Sequence, residues 1–270
     1  MIMKKILFTD MDGTLLNDDS QVSPYTRQVL RDISAKGHVI VLSSGRSIHS
    51  ILDTASKLDI IVPGMYICAA NGAMIYECDS SKVLYYSPVS LEYVKSVWTL
   101  AIKEGIHIQT YSDRELLVPS KSKEVDYYMI RCPHPLIITD TPWTVLEKPP
   151  VKLLAIDLED HDKLDRFGKK VADMYPDLNT LFSNPMYLEV ISKDAGKGNA
   201  LKWLCNYLNI PISSSYAAGD QFNDISMISA AGTGIAMSNG DPAIFEFADV
   251  LSEFDNNHDG LSQYIDKEFI

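Results

Sequence analysis

The chain has no C-x-x-C pair. Its four cysteines, Cys68, Cys78, Cys132 and Cys205, lie far apart, and none has a partner histidine at zinc-ligand spacing. That excludes a zinc ribbon or a dithiol redox motif and predicts reduced thiols in or near a core. No apolar run approaches the ~20 residues of a membrane span. The opening MIMKKILF is broken by Asp10 before it reaches the ~7 to 15 apolar residues of a secretory signal, so the expected location is the cytoplasm. Positive charge is scarce as well: 24 Lys and Arg against 36 Asp and Glu leave a formal net charge of -12. That balance argues against nucleic acid or an anionic membrane as partner, since both are bound through basic patches. A small anionic substrate stays compatible, because a bound cation reverses the local sign of a carboxylate cluster. There is no G-x-x-x-x-G-K-[ST], no G-x-G-x-x-G and no G-x-S-x-G, and the six histidines form no H-x-H or H-E-x-x-H pair. Repeats and low-complexity segments are missing too, and oligomeric state leaves no mark in the sequence.

What is present is an alternation. The apolar run KKILF ends in Thr9-Asp10-Met11-Asp12-Gly13-Thr14. Ser23 and Pro24 then form an N-cap and first helical position, Val29, Leu30 and Ile33 recur at helical spacing, and Gly37 stands at the stop. HVIVLSSGR reads as a buried strand running into small polar residues, and a second helix leads to MYICAANGA, a third strand ending in Asn71 and Gly72. Strands alternating with helices predict a parallel sheet with right-handed crossovers. The pattern returns near the C-terminus: Lys197 opens a helical segment, SSSYAAGDQFND and TGIAMSNG read as strands with polar turns, and Asp241-Pro242 caps a final helix. In each unit the unusual polar residues follow a strand, where open parallel sheets place their ligands.

Over 100 residues with a different rhythm lie between these halves. A helix is expected over 91–104, strands at HIQTYS and ELLVPS, a helix over 122–131, a proline-punctuated stretch, the strand VKLLAIDL, a helix over 164–174, and the strand pair LNTLFS and MYLEVI. A βα crossover needs only about 30 residues, so this interval is an inserted α+β domain with junctions near Pro88 and Ser192. The predicted organisation is α/β: a Rossmann-like parallel-sheet core over 1–87 and 193–270, with the inserted domain over 88–192.

The strand ends supply Asp10 and Asp12, then Ser44 with Gly45 and Arg46, then Lys197, and finally Asp220, Asn223 and Asp224. Two carboxylates one residue apart share a face of an extended chain and repel unless a cation or shared proton separates them. A calcium loop is excluded, because Leu15 and Gln21 stand where an EF-hand needs glycine and glutamate. Magnesium takes hard oxygen ligands, usually one or two carboxylates with water and substrate phosphate, which suits Asp10 and Asp220. Lysine and backbone amides can neutralise phosphoryl oxygens, and a central aspartate can attack phosphorus.

Taken together, these residues resemble the haloacid dehalogenase superfamily, in its Cof-type, sugar-phosphatase-like branch. The motifs are Asp10-Met11-Asp12-Gly13-Thr14-Leu15, Leu42-Ser43-Ser44-Gly45-Arg46, Ala70-Asn71-Gly72-Ala73, Ala195-Gly196-Lys197-Gly198 and Gly219-Asp220-Gln221-Phe222-Asn223-Asp224. Ala236-Met237 with Asn239 and Asn256-Asn257-His258-Asp259-Gly260 also fit, although Ser238 stands where the branch often has glycine. The resemblance implies Asp10 as nucleophile and Asp12 as general acid and base. It implies magnesium held by the Asp10 side chain, the Asp12 carbonyl and Asp220, with Asn223 and Asp224 supporting that shell. Ser44 and Lys197 would grip the phosphoryl oxygens, with Gly45, Arg46, Asn71 and Asn223 also meeting substrate. The inserted domain would be a cap that closes over the site and contacts the leaving group. The implied activity is magnesium-dependent hydrolysis of small phosphorylated metabolites such as sugar phosphates through an aspartyl-phosphate. A phosphosugar mutase and a non-catalytic phospholigand sensor remain alternatives on the same residues.

Overall fold

The computed structural model describes residues 4–270, Arg131 by its backbone alone. The chain divides into two compact units, Met1–Tyr86 with Ala195–Ile270, and Ser87–Asp194. The first unit begins with the wholly buried strand β1 (Ile6–Thr9), followed by α1 (Pro24–Ala35), β2 (Val39–Ser43), α2 (Ile48–Lys57) and β3 (Tyr66–Ala69). Ser23 starts α1 by accepting from the Thr26 N–H at 3.0 Å, with Pro24 at the first helical position, and α1 buries Thr26, Val29, Leu30 and Ile33 on one face. β1, β2 and β3 pair in parallel, with Phe8 beside Val41 and Leu42 beside Ile67. The chain then turns back into an antiparallel hairpin, β4 (Met74–Glu77) and β5 (Lys82–Tyr86), which the sequence pattern did not separate from β3. Four or five residues of mixed polarity look alike whichever way the strand runs, so only pairing reveals the hairpin.

The second unit contains α3 (Leu91–Lys103), β6 (His107–Tyr111), β7 (Leu116–Val118), α4 (Lys123–Arg131), β8 (Leu136–Ile138), α5 (Pro142–Val145), β9 (Lys152–Ile156), α6 (His161–Met174), β10 (Leu178–Asn184) and β11 (Tyr187–Ser192). Its sheet runs β10-β11-β9-β6-β7-β8, antiparallel except for the β7–β8 pair. Trp98 of α3 and Phe167 and Val171 of α6 pack on Ile108, Leu153, Ala155, Leu188 and Val190, alternate residues of the strands and hence one face of the sheet. The proline-punctuated stretch holds β8 and α5, neither of which its composition announced. α6 starts three residues before Leu164, because the Asp160 carboxylate accepts from the Lys163 N–H at 2.8 Å.

The chain returns to the first unit through α7 (Lys197–Tyr207), β12 (Ser215–Gly219), α8 (Ile225–Ile228), β13 (Thr233–Ala236), β14 (Val250–Leu251) and α9 (Gly260–Phe269). The segment opened by Asp241 and Pro242 is a correction to the expected final helix. It is a short 3-10 helix, Pro242–Phe247, ended by extended Ala248, and the last α-helix begins at Gly260. The full sheet order is β14-β13-β12-β1-β2-β3-β4-β5, so β1 lies between β2 and β12 where the strand order reverses. Ile6 and Phe8 bury one face of β1 against Val41, Cys68, Ala217 and the α7 residues Leu201 and Leu204. Leu7 and Leu42, equally buried, point the other way, and α1 packs against β2 and α9. With Thr9 beside Leu42 and Ala218, and Gly219 beside Ala236, the ends of the parallel strands stand level, and the loops that follow them meet at the switch point. Among the described residues no helix is long and apolar enough to cross a membrane.

Candidate active site

Asp10 is the first residue past β1, its N–H still bonded to the Ala218 carbonyl at 2.9 Å and its own carbonyl accepting from the Thr9 hydroxyl at 2.7 Å. These bonds fix its backbone, and the surrounding strands bury its side chain. Lys197, at the start of α7, reaches the same point with its side chain fully buried. Its Nζ donates to Asp10 Oδ1 at 2.5 Å, Asp224 Oδ1 at 2.6 Å and the Ser43 carbonyl at 3.1 Å, so all three ammonium protons are used. Burial alone would lower the lysine's pKa, but Asp10 and Asp224 outweigh it and hold the ammonium above its ordinary value. Burial pushes Asp10 well above the usual carboxylate range; Lys197 pulls it back, and Asp224 and Asp220 push it further.

Asp220 follows β12 directly. Its Oδ1 accepts from the Thr14 hydroxyl at 2.9 Å, and burial followed by the neighbouring Asp224 raises its carboxyl to about 6. Gly13 makes this approach possible: it sits at φ +77°, and a Cβ there would lie 2.5 Å from Asp220 Oδ2. Asp10, Asp220 and Asp224 each offer an oxygen within 4.8 Å of the others, an all-carboxylate set that fits a hard divalent cation such as Mg2+ and offers no soft ligand for zinc. Asp224 has both oxygens engaged, Oδ1 with Lys197 and Oδ2 with the N–H groups of Asp220 and Gln221 at 3.0 and 3.1 Å. It braces the loop and the lysine, and with Asp10 and Asp220 it is one of three acids whose oxygens could hold a cation.

The Asp12 side chain is not part of this cluster. It is half exposed and held by a two-pronged ion pair, Arg46 Nε to Oδ2 at 2.8 Å and an Arg46 terminal nitrogen to Oδ1 at 2.5 Å, while the other terminal nitrogen reaches Thr54 at 3.2 Å. Arg46, which the resemblance places at substrate, is ion-paired with Asp12 here.

Ser44 follows β2 directly, with its N–H on the Cys68 carbonyl at 2.9 Å and its hydroxyl accepting from the Arg46 N–H at 3.2 Å; Gly45 lies between them on this turn. The Asn71 N–H donates to the Ser44 carbonyl at 3.0 Å, and its Oδ1 accepts from Asn223 Nδ2 at 3.1 Å. Asn71 takes the left-handed conformation, φ 53°, which asparagine tolerates better than most residues. At the next residue, Gly72, a Cβ would collide with the Gly196 carbonyl at 2.2 Å, so glycine lets the Asn71 turn abut the loop that carries Lys197. Asn223 thus joins the Asn71 turn to the loop after β12. Thr14 and the Ser43 carbonyl had no expected role. Thr14 was visible in the motif, but its hydrogen bond spans 206 positions of sequence and needs the fold to be seen. The four cysteines are free, and burial pushes Cys68 and Cys205 up to about 11.

Residues 7–265 match the family model described as haloacid dehalogenase-like hydrolase. Among curated proteins the chain is similar to 5-amino-6-(5-phospho-D-ribitylamino)uracil phosphatase YcsE of Bacillus subtilis, 26% identical over 97% of this chain and 94% of that one. It is also similar to phosphatase YwpJ of the same organism, 25% identical over 94% and 96%. Among solved structures, a haloacid dehalogenase-like hydrolase from Bacteroides thetaiotaomicron superposes with TM-score 0.86 at 26% identity, covering 98% of this chain and 99% of the other. With a model match spanning nearly its whole length, the chain belongs to the haloacid dehalogenase-like hydrolase family.

Proposed function

We propose that this protein is a Mg2+-dependent phosphatase of small phosphorylated metabolites, acting through an aspartyl-phosphate on Asp10. The observation that carries the proposal is the buried Asp10 carboxylate at the switch point, with one oxygen on the Lys197 ammonium and two further acids within 4.8 Å. A packing role does not account for three buried carboxylates around one lysine, since burying such charges is costly unless the group is used. Bound there by Asp10 and Asp220, Mg2+ would supply positive charge that offsets the repulsion between carboxylate and phosphate.

The chain's own groups do the rest. Lys197, already charged, moves part of its hydrogen bonding from Asp10 to a phosphoryl oxygen, and the Ser44 turn offers further donors. Asp10 attacks phosphorus, the bond to the leaving oxygen breaks, and that oxygen takes a proton from Asp12. Water then attacks the aspartyl-phosphate, gives its proton to Asp12, and releases phosphate and free Asp10. Asp12 is half exposed and lies outside the buried acids, and to carry the proton it gives up one prong of the Arg46 fork. A phosphate ester on a polyol chain, the class named for the YcsE relative, is the first substrate class to try, with sugar phosphates beside it.

The test is phosphate release from a panel of sugar and polyol phosphates, with and without Mg2+, for the wild type and Asp10→Asn. Release that requires the metal and disappears in the variant supports the reading. Release that survives Asp10→Asn, or none from any member of the panel, overturns it.

A further inference from the structure

The loop that carries Gly13 and Thr14 sets one side of the Asp220 carboxylate, whose Oδ2 also accepts from Gln221 Nε2 at 3.4 Å. Thr14 donates to one oxygen, and the Gly13 backbone closes against the other. The loop itself is held from outside the acid cluster. The Gly13 carbonyl accepts from Asn239 Nδ2 at 2.8 Å, and Asn239 Oδ1 in turn accepts from the Asn256 N–H at 3.0 Å. Asn256, 6% exposed, extends its own amide to the Leu16 carbonyl at 3.0 Å and to Asp18 Oδ1 at 3.1 Å. Two asparagines therefore tie the loops after β1, β13 and β14 together. The residues next to Asn239 hold the other side of Asp220: the Asp241 N–H donates to the Asp220 carbonyl at 2.9 Å, and a Cβ at Gly240 would come within 2.9 Å of that same oxygen.

We propose that Asn239, steadied by Asn256, is a positioning residue for the metal-binding end of this site, acting through Gly13 and Thr14 on the orientation of Asp220. The inference rests on the reading of the acid cluster as a Mg2+ site. Asn239 touches no candidate ligand directly, and its side chain is exposed, so packing does not explain its double hydrogen bond. Groups that orient a metal ligand from behind typically change metal affinity or activity by about 10- to 100-fold when lost.

The experiment is a Mn2+ titration of the full chain, followed by the electron paramagnetic resonance signal of free Mn2+, on the wild type, Asn239→Ala, Asn239→Asp and Asn257→Ala. Asn239→Asp keeps an acceptor for the Asn256 N–H but sets an oxygen against the Gly13 carbonyl. Among the described residues the Asn257 side chain holds only Asp18, through both groups of its amide, and it serves as the control. Both Asn239 variants should bind Mn2+ about 10- to 100-fold more weakly with thermal midpoints close to the wild type, while Asn257→Ala binds as the wild type does. Wild-type affinity in Asn239→Ala, or an equal loss in Asn257→Ala, overturns the proposal. Mn2+ binding by a wild type that releases no phosphate would overturn the phosphatase reading alone, and a wild type that binds no Mn2+ would overturn both.

Discussion

Lys197→Met is the perturbation on which the electrostatic account of this site depends most. Methionine nearly matches the lysine stem in length but carries no charge, so packing changes little and the acids lose their only close cation among the described residues. Lys197 pairs with Asp10 at 2.5 Å and Asp224 at 2.6 Å, its side chain fully buried and those of the acids nearly so. Removing one partner of a buried pair costs about 3–5 kcal/mol, because the remaining charge has neither water nor counter-ion. Two acids share this lysine, so the upper half of that range is expected. For a protein of this size each kcal/mol moves the thermal midpoint by about 2–4 °C, which places the variant roughly 8–20 °C below the wild type in EDTA at pH 7.5.

The pH dependence has a fixed sign. Burial raises Asp220 to about 6 and raises Asp10 well above its ordinary value, whereas unfolded aspartates titrate near 4. Between those values the folded state binds more protons than the unfolded one, so the contribution is present at low pH and lost as pH rises through the folded values. Without Lys197 to pull them down, the acids shift higher still. The gap between variant and wild type should therefore narrow on acidification from pH 7.5 to 5.5, and saturating Mg2+ should narrow it at pH 7.5. Calorimetry in EDTA decides the matter. A midpoint difference under about 2 °C, or a gap that widens on acidification, would refute the reasoning.

Two further outcomes follow from other contacts. Arg46→Lys should lower kcat about 100-fold, since a single ammonium cannot reproduce the fork on Asp12 and small misplacements of a catalytic group have effects of that order. The loss should be larger for phenyl phosphate than for p-nitrophenyl phosphate, whose leaving group needs little help from an acid; equal losses would separate Arg46 from Asp12. His38 accepts the Lys5 N–H on Nδ1 at 3.0 Å and packs edge-on against Phe269, and burial with Lys5, Lys36 and Lys4 lowers its pKa. The unfolded chain therefore takes up this proton first on acidification. The histidine's own contribution to stability should fall as pH drops from about 6.5, opposite in sign to that of Asp10 and Asp220, so the midpoint difference between wild type and His38→Asn should shift against the wild type between pH 7.5 and 5 in thermal melts.

How much of this was legible in the sequence depended on the range of the interaction concerned. The buried run before Asp10, the cap at Ser23, the helix from Lys197 and the length of the inserted segment are local signals, written in composition and period. The direction of β4 and β5, the strand and helix inside the proline-rich stretch and the delayed last helix depend on which partner each segment meets, and short segments carry too little pattern to say. The same division runs through the site. Sequence order alone set an acid pair, a serine turn, a lysine and a second acid run at strand ends. Only the fold decided that Asp12 would turn to Arg46, that Asn223 would pair with Asn71, that Asp224 would brace Lys197 and its own loop, and that Asn239 would reach the Gly13 carbonyl across 226 residues. By itself the sequence determined which chemical groups the protein owns and which strand each one ends. Tertiary structure decided which of them meet, because a hydrogen bond or ion pair forms within about 3 Å, a distance that strand order and sheet register set and the spacing of residues along the chain does not.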